Sequence, residues 1–185
     1  MILRWYDTGI LPVWVDVLTD PQRALFLRPV TAWTYFDRFG DLCQLAMPEI
    51  SPSVDAHVMV PFELNEDQHD TLFAACECDS GIMVLRGLMP EEIETVPYRV
   101  LYPFVAEHLQ VARRHGIEKD GDIESFLALA VWTGGAYTEH PAVVERLAKP
   151  AREHDITLAD WFAALPDARQ MGGQPLWENA KGGEA

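Results

Sequence analysis

The residues able to hold a metal or break a bond are few and scattered. Cys76 and Cys78 form a lone Cys-x-Cys, with His69 upstream. Structural zinc takes four ligands, usually from pairs two to four residues apart, and the chain offers no second pair. On a helix, positions i and i+2 also point to different faces. The pair therefore reads as one packed thiol and one surface thiol. His108 and His115 can share a helix face, with Glu107 beside His108. No third ligand stands at helical spacing from them. His115 suits a helix end, where a cation meets the dipole, and His140 before Pro141 suits a turn. Asp7, after Trp5-Tyr6, has the type and place of a catalytic carboxylate at a strand end. Capping the following helix or turn is the commoner use of such a residue. There is no nucleophile elbow, Gly-rich phosphate loop or His-Glu-x-x-His motif. The sequence thus predicts no catalytic, cofactor-binding or metal-binding residue. The alternative left open is a hydrolase or metal-binding protein that uses Asp7 and the histidines.

The aromatic residues say more. If Val30 to Phe36 is a strand, Trp33 and Tyr35 point one way while Ala32, Thr34 and Phe36 point the other. On a first strand, Trp5 opposes Arg4 and Tyr6 in the same manner. Two readings follow. One is a sheet covered by helices on one side, with scattered aromatics on the other. The second is a sheet meant to be covered on both sides, one of them by a partner or by a further lobe, since exposed aromatic patches mark interfaces. On the second reading Trp5, Trp33 and Tyr35 are the protein-binding residues.

These side chains need elements to hold them. Ile2 to Tyr6 alternates and reads as a strand. Ile10 to Leu18, rich in Val and Trp, fits helix or strand, and Pro12 fits a first helical turn. Asp20-Pro21 reads as an N-cap and first helical residue, and Pro29 stops that helix. Val30 to Phe36 and Leu42 to Ala46 form a hairpin through Asp37-Arg38-Phe39-Gly40, where Gly40 is free to take positive φ. His57 to Phe62 adds a short extended piece. From Asn65 the apolar period changes to that of helices. Asn65-Glu66-Asp67-Gln68 is a capping box, and Gly81 reads as a break in the helix it opens. Pro90 and Pro97 bracket a polar connection. Tyr98 to Arg114 is a long helix, kinked or started at Pro103, with Gly116 as its C′ residue. Asp120 or Asp122 caps a helix from Ile123 to Thr133, His140-Pro141 opens another, and Thr157 caps Leu158 to Leu165. The expected fold is α+β: a small antiparallel sheet with short helices in the N-terminal third, then an all-helical lobe. The expected organisation is a sheet lobe over 2–62, a helical lobe over 63–167 and a flexible tail over 168–185.

The 185 residues are 49% apolar and 23% charged, which is globular rather than disordered. A net charge of −15 disfavours nucleic acid and anionic lipid as partners and suits a basic protein surface. Three cysteines are no disulfide framework. No apolar run is long enough for a membrane span, and no secretory leader pattern opens the chain. A reducing cytoplasm is the expected compartment.

Two series of short motifs run along the chain. The first is Leu3-Arg4-Trp5-Tyr6-Asp7, then Asp20-Pro21-Gln22-Arg23, then Pro29-Val30-Thr31-Ala32-Trp33. The second is Ala112-Arg113-Arg114-His115-Gly116-Ile117, then Gly121-Asp122-Ile123, Leu127 to Ala130, His140-Pro141 and Ala164-Leu165-Pro166. In their order they resemble the effector adaptors, or chaperones, of the bacterial type VI secretion system (domain of unknown function family 4123). Thr8 stands where that family usually has Pro. The resemblance spans residues 2 to 167. Family members usually carry a further N-terminal α/β portion, so the chain resembles a member without that lobe.

The resemblance implies a helix, not a strand, over Ile10 to Leu18. It also implies a function: a non-enzymatic cytoplasmic adaptor that binds a toxic effector and helps load it onto the valine-glycine-repeat (VgrG) spike. The partners would be the effector and VgrG, with self-association a further possibility through the aromatic sheet.

Overall fold

The computed structural model describes residues 8–28, 30–47, 63–149, 153–164 and 172–181. The fold is α+β, with one two-stranded antiparallel sheet among these residues and helices around and after it. The chain divides into two compact units, Met1–Glu77 and Cys78–Ala185, and the border falls inside a helix.

The first unit opens with α1 (Leu11–Val17) and α2 (Asp20–Leu27). Ile10 to Leu18, ambiguous by propensity, is therefore helical, with Pro12 in the first turn. The cap of α2 lies one residue earlier than expected. Thr19 is the N-cap, and its backbone N–H donates to Gln22 Oε1 at 2.9 Å. The end of α1 is tied to α2 by Arg23, whose guanidinium donates to the carbonyls of Val15 (2.9 Å), Asp16 (3.2 Å) and Leu18 (2.9 Å). These are carbonyls that a helix C-terminus leaves without a partner. β1 (Thr34–Phe36) pairs with β2 (Leu42–Gln44), both shorter than the runs 30–36 and 42–46 expected. The first expected strand, Ile2 to Tyr6, and the extended piece from His57 to Phe62 lie outside the described residues, as do Trp5 and Asp7. Leu11, Trp14, Val15, Leu18, Leu27, Leu45 and Leu72 form the core of this unit.

α3 (Glu66–Leu88) starts at the expected capping box. Gln68 N–H donates to Asn65 Oδ1 at 2.9 Å, and Asn65 N–H donates to Gln68 Oε1 at 3.0 Å. The helix does not break at Gly81. A Cβ there would lie 3.0 Å from Leu127 Cδ1 and 3.3 Å from Val105 Cγ1, so the glycine lets helices pack closely rather than ending one.

The second unit continues with α4 (Pro90–Glu94), α5 (Tyr98–Arg114) and α6 (Asp120–Thr133). The stretch between Pro90 and Pro97 is thus a helix in part, held by the buried Ile93. α5 begins at Tyr98 and runs through Pro103. It ends in a Schellman turn: Ile117 N–H donates to Ala112 O and Gly116 N–H to Arg113 O, each at 3.0 Å. A 3-10 turn (Ala136–Glu139), α7 (Pro141–Leu147) and α8 (Leu158–Ala163) follow. Within the stretch read as a tail, Leu176–Lys181 form α9. Leu176 is buried in the core, and Trp177 packs edge-on against Trp132 with ring centroids 4.7 Å apart. Two large apolar residues in a Gly- and Pro-rich segment are enough to dock it.

Asp122 does not cap its own helix. Lys119 is the N-cap of α6, and the buried Asp122 reaches α8 instead. Its Oδ1 accepts from Leu158 N–H (2.6 Å) and Ala159 N–H (3.1 Å). Thr157 Oγ1 accepts from Asp160 N–H at 3.0 Å. Two side chains thus satisfy three amides that a helix start leaves orphaned.

Candidate functional site

The hairpin holds Trp33 and Tyr35, two of the three expected contact residues. Its turn is built by Asp37, whose Oδ1 accepts from Phe39 N–H (2.8 Å) and Asp41 N–H (2.9 Å). Gly40 N–H donates back to the Asp37 carbonyl at 3.0 Å, with Gly40 at φ +81°. Arg38 Nη2 donates to the Gly9 carbonyl at 2.6 Å, which ties the turn to the start of α1.

Trp33 and Tyr35 are both half-buried and lie against the core of their unit. Trp33 stacks on Phe26 with centroids 6.0 Å apart, and Phe26 meets Trp14 edge-on at 5.9 Å. Burial pushes the Tyr35 phenol above its usual range, and the nearby Cys43, Asp37 and Asp16 push the same way. Trp14, Phe26 and Trp33 form one continuous row from α1 through α2 to the residue before β1.

The other face of the hairpin is open. Phe36 is 62% exposed and Leu42 69% exposed, and they are direct cross-strand partners. Asp37 N–H donates to Asp41 O and Leu45 N–H to Trp33 O, each at 2.9 Å. The alternation of an antiparallel ladder then makes Phe36–Leu42 a non-hydrogen-bonded pair, the kind whose side chains lie closest. The alternation in the sequence showed that Phe36 points away from Trp33. That Leu42 joins it was legible only through the register.

The first unit also has an open groove of ≈ 550 Å³ where α1 ends and α3 begins, lined among others by Asp16, Thr19, Asn65, Asp67 and Thr71. Gln68 closes one wall by donating to the Val17 carbonyl at 2.6 Å and to Gln22 Oε1 at 2.9 Å.

The residues weighed for catalysis or metal binding are dispersed. Cys76 is exposed and Cys78 is buried, with its Sγ 3.3 Å from the Tyr102 carbonyl. His69 stacks on Phe73. His108 is buried, donates from Nδ1 to the Phe104 carbonyl at 2.8 Å and stacks on the Phe104 ring at 4.1 Å. His115 is the C-cap of α5 and donates from Nδ1 to the Leu147 carbonyl at 2.9 Å. His140 is the N-cap of α7, and its buried Nδ1 has no hydrogen-bond partner among the described residues. No group of three or more His, Cys, Asp or Glu placed to hold a metal occurs among the described residues. Sequence reasoning missed one cluster: His115, Arg146, Lys149 and His154 converge on a small notch in the second unit. Only Arg146 and Lys149 were close enough in sequence to hint at it.

Among the described residues no helix is long and apolar enough to cross a membrane. No family model matches this chain, and no curated protein or solved structure matches it either.

Proposed function

We propose that this chain is a non-enzymatic adaptor that binds a type VI secretion effector in the cytoplasm and helps load it onto the VgrG spike. The reading is supported by the order of the motifs across residues 2 to 167. The structural observation that carries it is the exposed Phe36–Leu42 pair, on a hairpin whose other face is already filled by Trp33 and Tyr35. A close apolar pair on a rigid, aromatic-backed hairpin is a suitable anchor for a partner. Phe36 and Leu42 make the contact, and Trp33 and Tyr35 support it from behind. The strongly acidic chain then favours a basic partner surface.

The test is co-expression with a type VI effector and a VgrG spike protein from the same genome. Co-purification with the effector, lost in a Phe36→Ser/Leu42→Ser double variant that still folds, is the expected result. Failure to capture either protein, together with a bound metal or hydrolytic turnover by the purified chain, would favour the hydrolase or metal-binding alternative.

A further inference from the structure

The notch in the second unit is framed by three segments. His115 comes from the end of α5, Arg146 and Lys149 from α7 and the turn after it, and His154 from the approach to α8. Its walls are apolar, from Ile117, Leu147 and Leu158. Among the described residues, every ionisable side chain that lines it is basic. In a chain with 29 Asp and Glu against 14 Lys and Arg, a concave site whose described ionisable residues are all basic is against the composition.

Arg146 is the buried cation of the group. It is only 8% exposed. Its Nη2 donates to the Ile156 carbonyl at 2.6 Å, and its guanidinium carbon lies 5.8 Å from the centre of the Trp161 ring. A guanidinium presents five N–H donors, and this carbonyl is its one hydrogen-bond partner among the described residues. Asp122 is the carboxylate whose charge it feels, but no ion pair joins them and Asp122 is committed to the α8 amides. Burial accordingly disfavours the charged guanidinium. The two histidines are oriented in the same sense. His115 uses Nδ1 on the Leu147 carbonyl, and His154 uses Nε2 on the Lys149 carbonyl at 3.3 Å. Each ring keeps its second nitrogen for another group.

We infer that this notch binds a phosphate group, seating one of its oxygens between Arg146, Lys149 and the two histidines. The enclosed space is ≈ 10 Å³, room for one oxygen-sized atom, so the rest of the group projects outward. Two cations, Arg146 and Lys149, with histidine donors from two further segments, suit a dianion with several oxygens better than a carboxylate, whose single charge matches only one of the cations. The same geometry accepts free phosphate and a phosphate monoester, because the fourth oxygen faces solvent. The inference is independent of the adaptor reading.

The test is a titration of the full chain with sodium phosphate against sodium chloride at matched ionic strength. Melting temperature and the His115 and His154 ring resonances are the readouts. A saturable shift of both rings, with a rise in melting temperature that chloride does not give, is expected. Arg146→Ala would also lose the tie to Ile156, so Lys149→Gln and His154→Gln are the informative variants. Each should weaken binding about threefold, in the range of one exposed charge contact, and leave the melting temperature without phosphate unchanged. Phosphoserine, the free amino acid, as a second titrant separates the sources. Equal or tighter binding assigns the site to a monoester, and binding of inorganic phosphate alone assigns it to the free ion. Shifts that never saturate, that chloride reproduces, or that survive the Lys149→Gln/His154→Gln double variant overturn the inference.

Discussion

Phe36 faces Leu42 across the hairpin, and both are open to solvent while their strand neighbours Tyr35 and Cys43 face inward. The two faces of one hairpin can therefore be tested separately. Phe36→Ser with Leu42→Ser should change the unfolding free energy by no more than about 1 kcal/mol, the scale of a surface cross-strand pair. It should weaken capture of the effector, or self-association, by about tenfold or more, the scale of an interface anchor. Trp33→Ala should do the reverse. Losing the stack on Phe26 should cost about 2–3 kcal/mol of stability, somewhat below the value for a fully buried Trp. Denaturant unfolding and a binding titration on each variant decide it. Unchanged binding in the double Ser variant would remove this face from the proposal.

The two glycines of α3 should respond oppositely to alanine. Gly87 has nothing within 4 Å of a built Cβ, so Gly87→Ala should stabilise by about 0.5–1 kcal/mol through helix propensity alone. At Gly81 the same gain meets Leu127 and Val105, and overpacking of about 1–3 kcal/mol outweighs it. A net loss for Gly81→Ala beside a gain for Gly87→Ala, read from urea midpoints, is the expected pair. A gain at both sites would mean that the helices have room to move apart.

Local signals were legible in the sequence, and their limits follow from physics. The Asn65/Gln68 box, the Thr157 cap, the Asp37–Gly40 turn and Gly116 at the end of α5 all act within a few residues, so a short window contains both partners. Gly81 looked like a break because the side chains that need its missing Cβ come from α5 and α6. Asp122 looked like the cap of its own helix because the amides that donate to it are 36 and 37 residues away. The basic notch was hidden for the same reason: His115 and Arg146 meet only once α5 and α7 have packed.

Asp122→Ala should cost about 3 kcal/mol, since two amides lose a charged acceptor inside the protein. Thr157→Ala removes only a neutral cap at the exposed edge of the same terminus and should cost about 1 kcal/mol. Equilibrium unfolding at neutral pH ranks the two. A larger loss for Thr157→Ala would show that α8 is held by its own cap and not from α6.

Tyr137 should give the protein an alkaline limit. Its ring is fully buried, its hydroxyl has no hydrogen-bond partner among the described residues, and its pKa is driven upward. Burial is the main cause, Glu107 adds to it and Arg114 opposes it. The folded state therefore keeps a proton that the unfolded chain releases near pH 10. This stabilising contribution is whole below that pH. It is lost as pH rises toward the higher folded value, by up to about 1.4 kcal/mol per pH unit. Tyr137→Phe should flatten that slope between pH 9 and pH 11 and raise stability at neutral pH by about 1 kcal/mol, because no hydroxyl is then buried unpaired. Identical slopes for the two proteins would refute the assignment.

Gly173 is exposed and lies in a stretch of simple composition, yet its backbone sits at φ +82° against α6. A Cβ at this position would come within 2.1 Å of the Thr133 carbonyl oxygen and 2.6 Å of Ala136 Cβ. Neither neighbour can yield, since one is main chain and the other is the first atom of a side chain. In a library of variants selected for folding, position 173 would then tolerate as few residues as the buried leucines, while Gly172 beside it, with open space around it, would lose only its backbone preference. Mutational tolerance at this surface site would report the docking of α9, and a hydropathy profile would miss it.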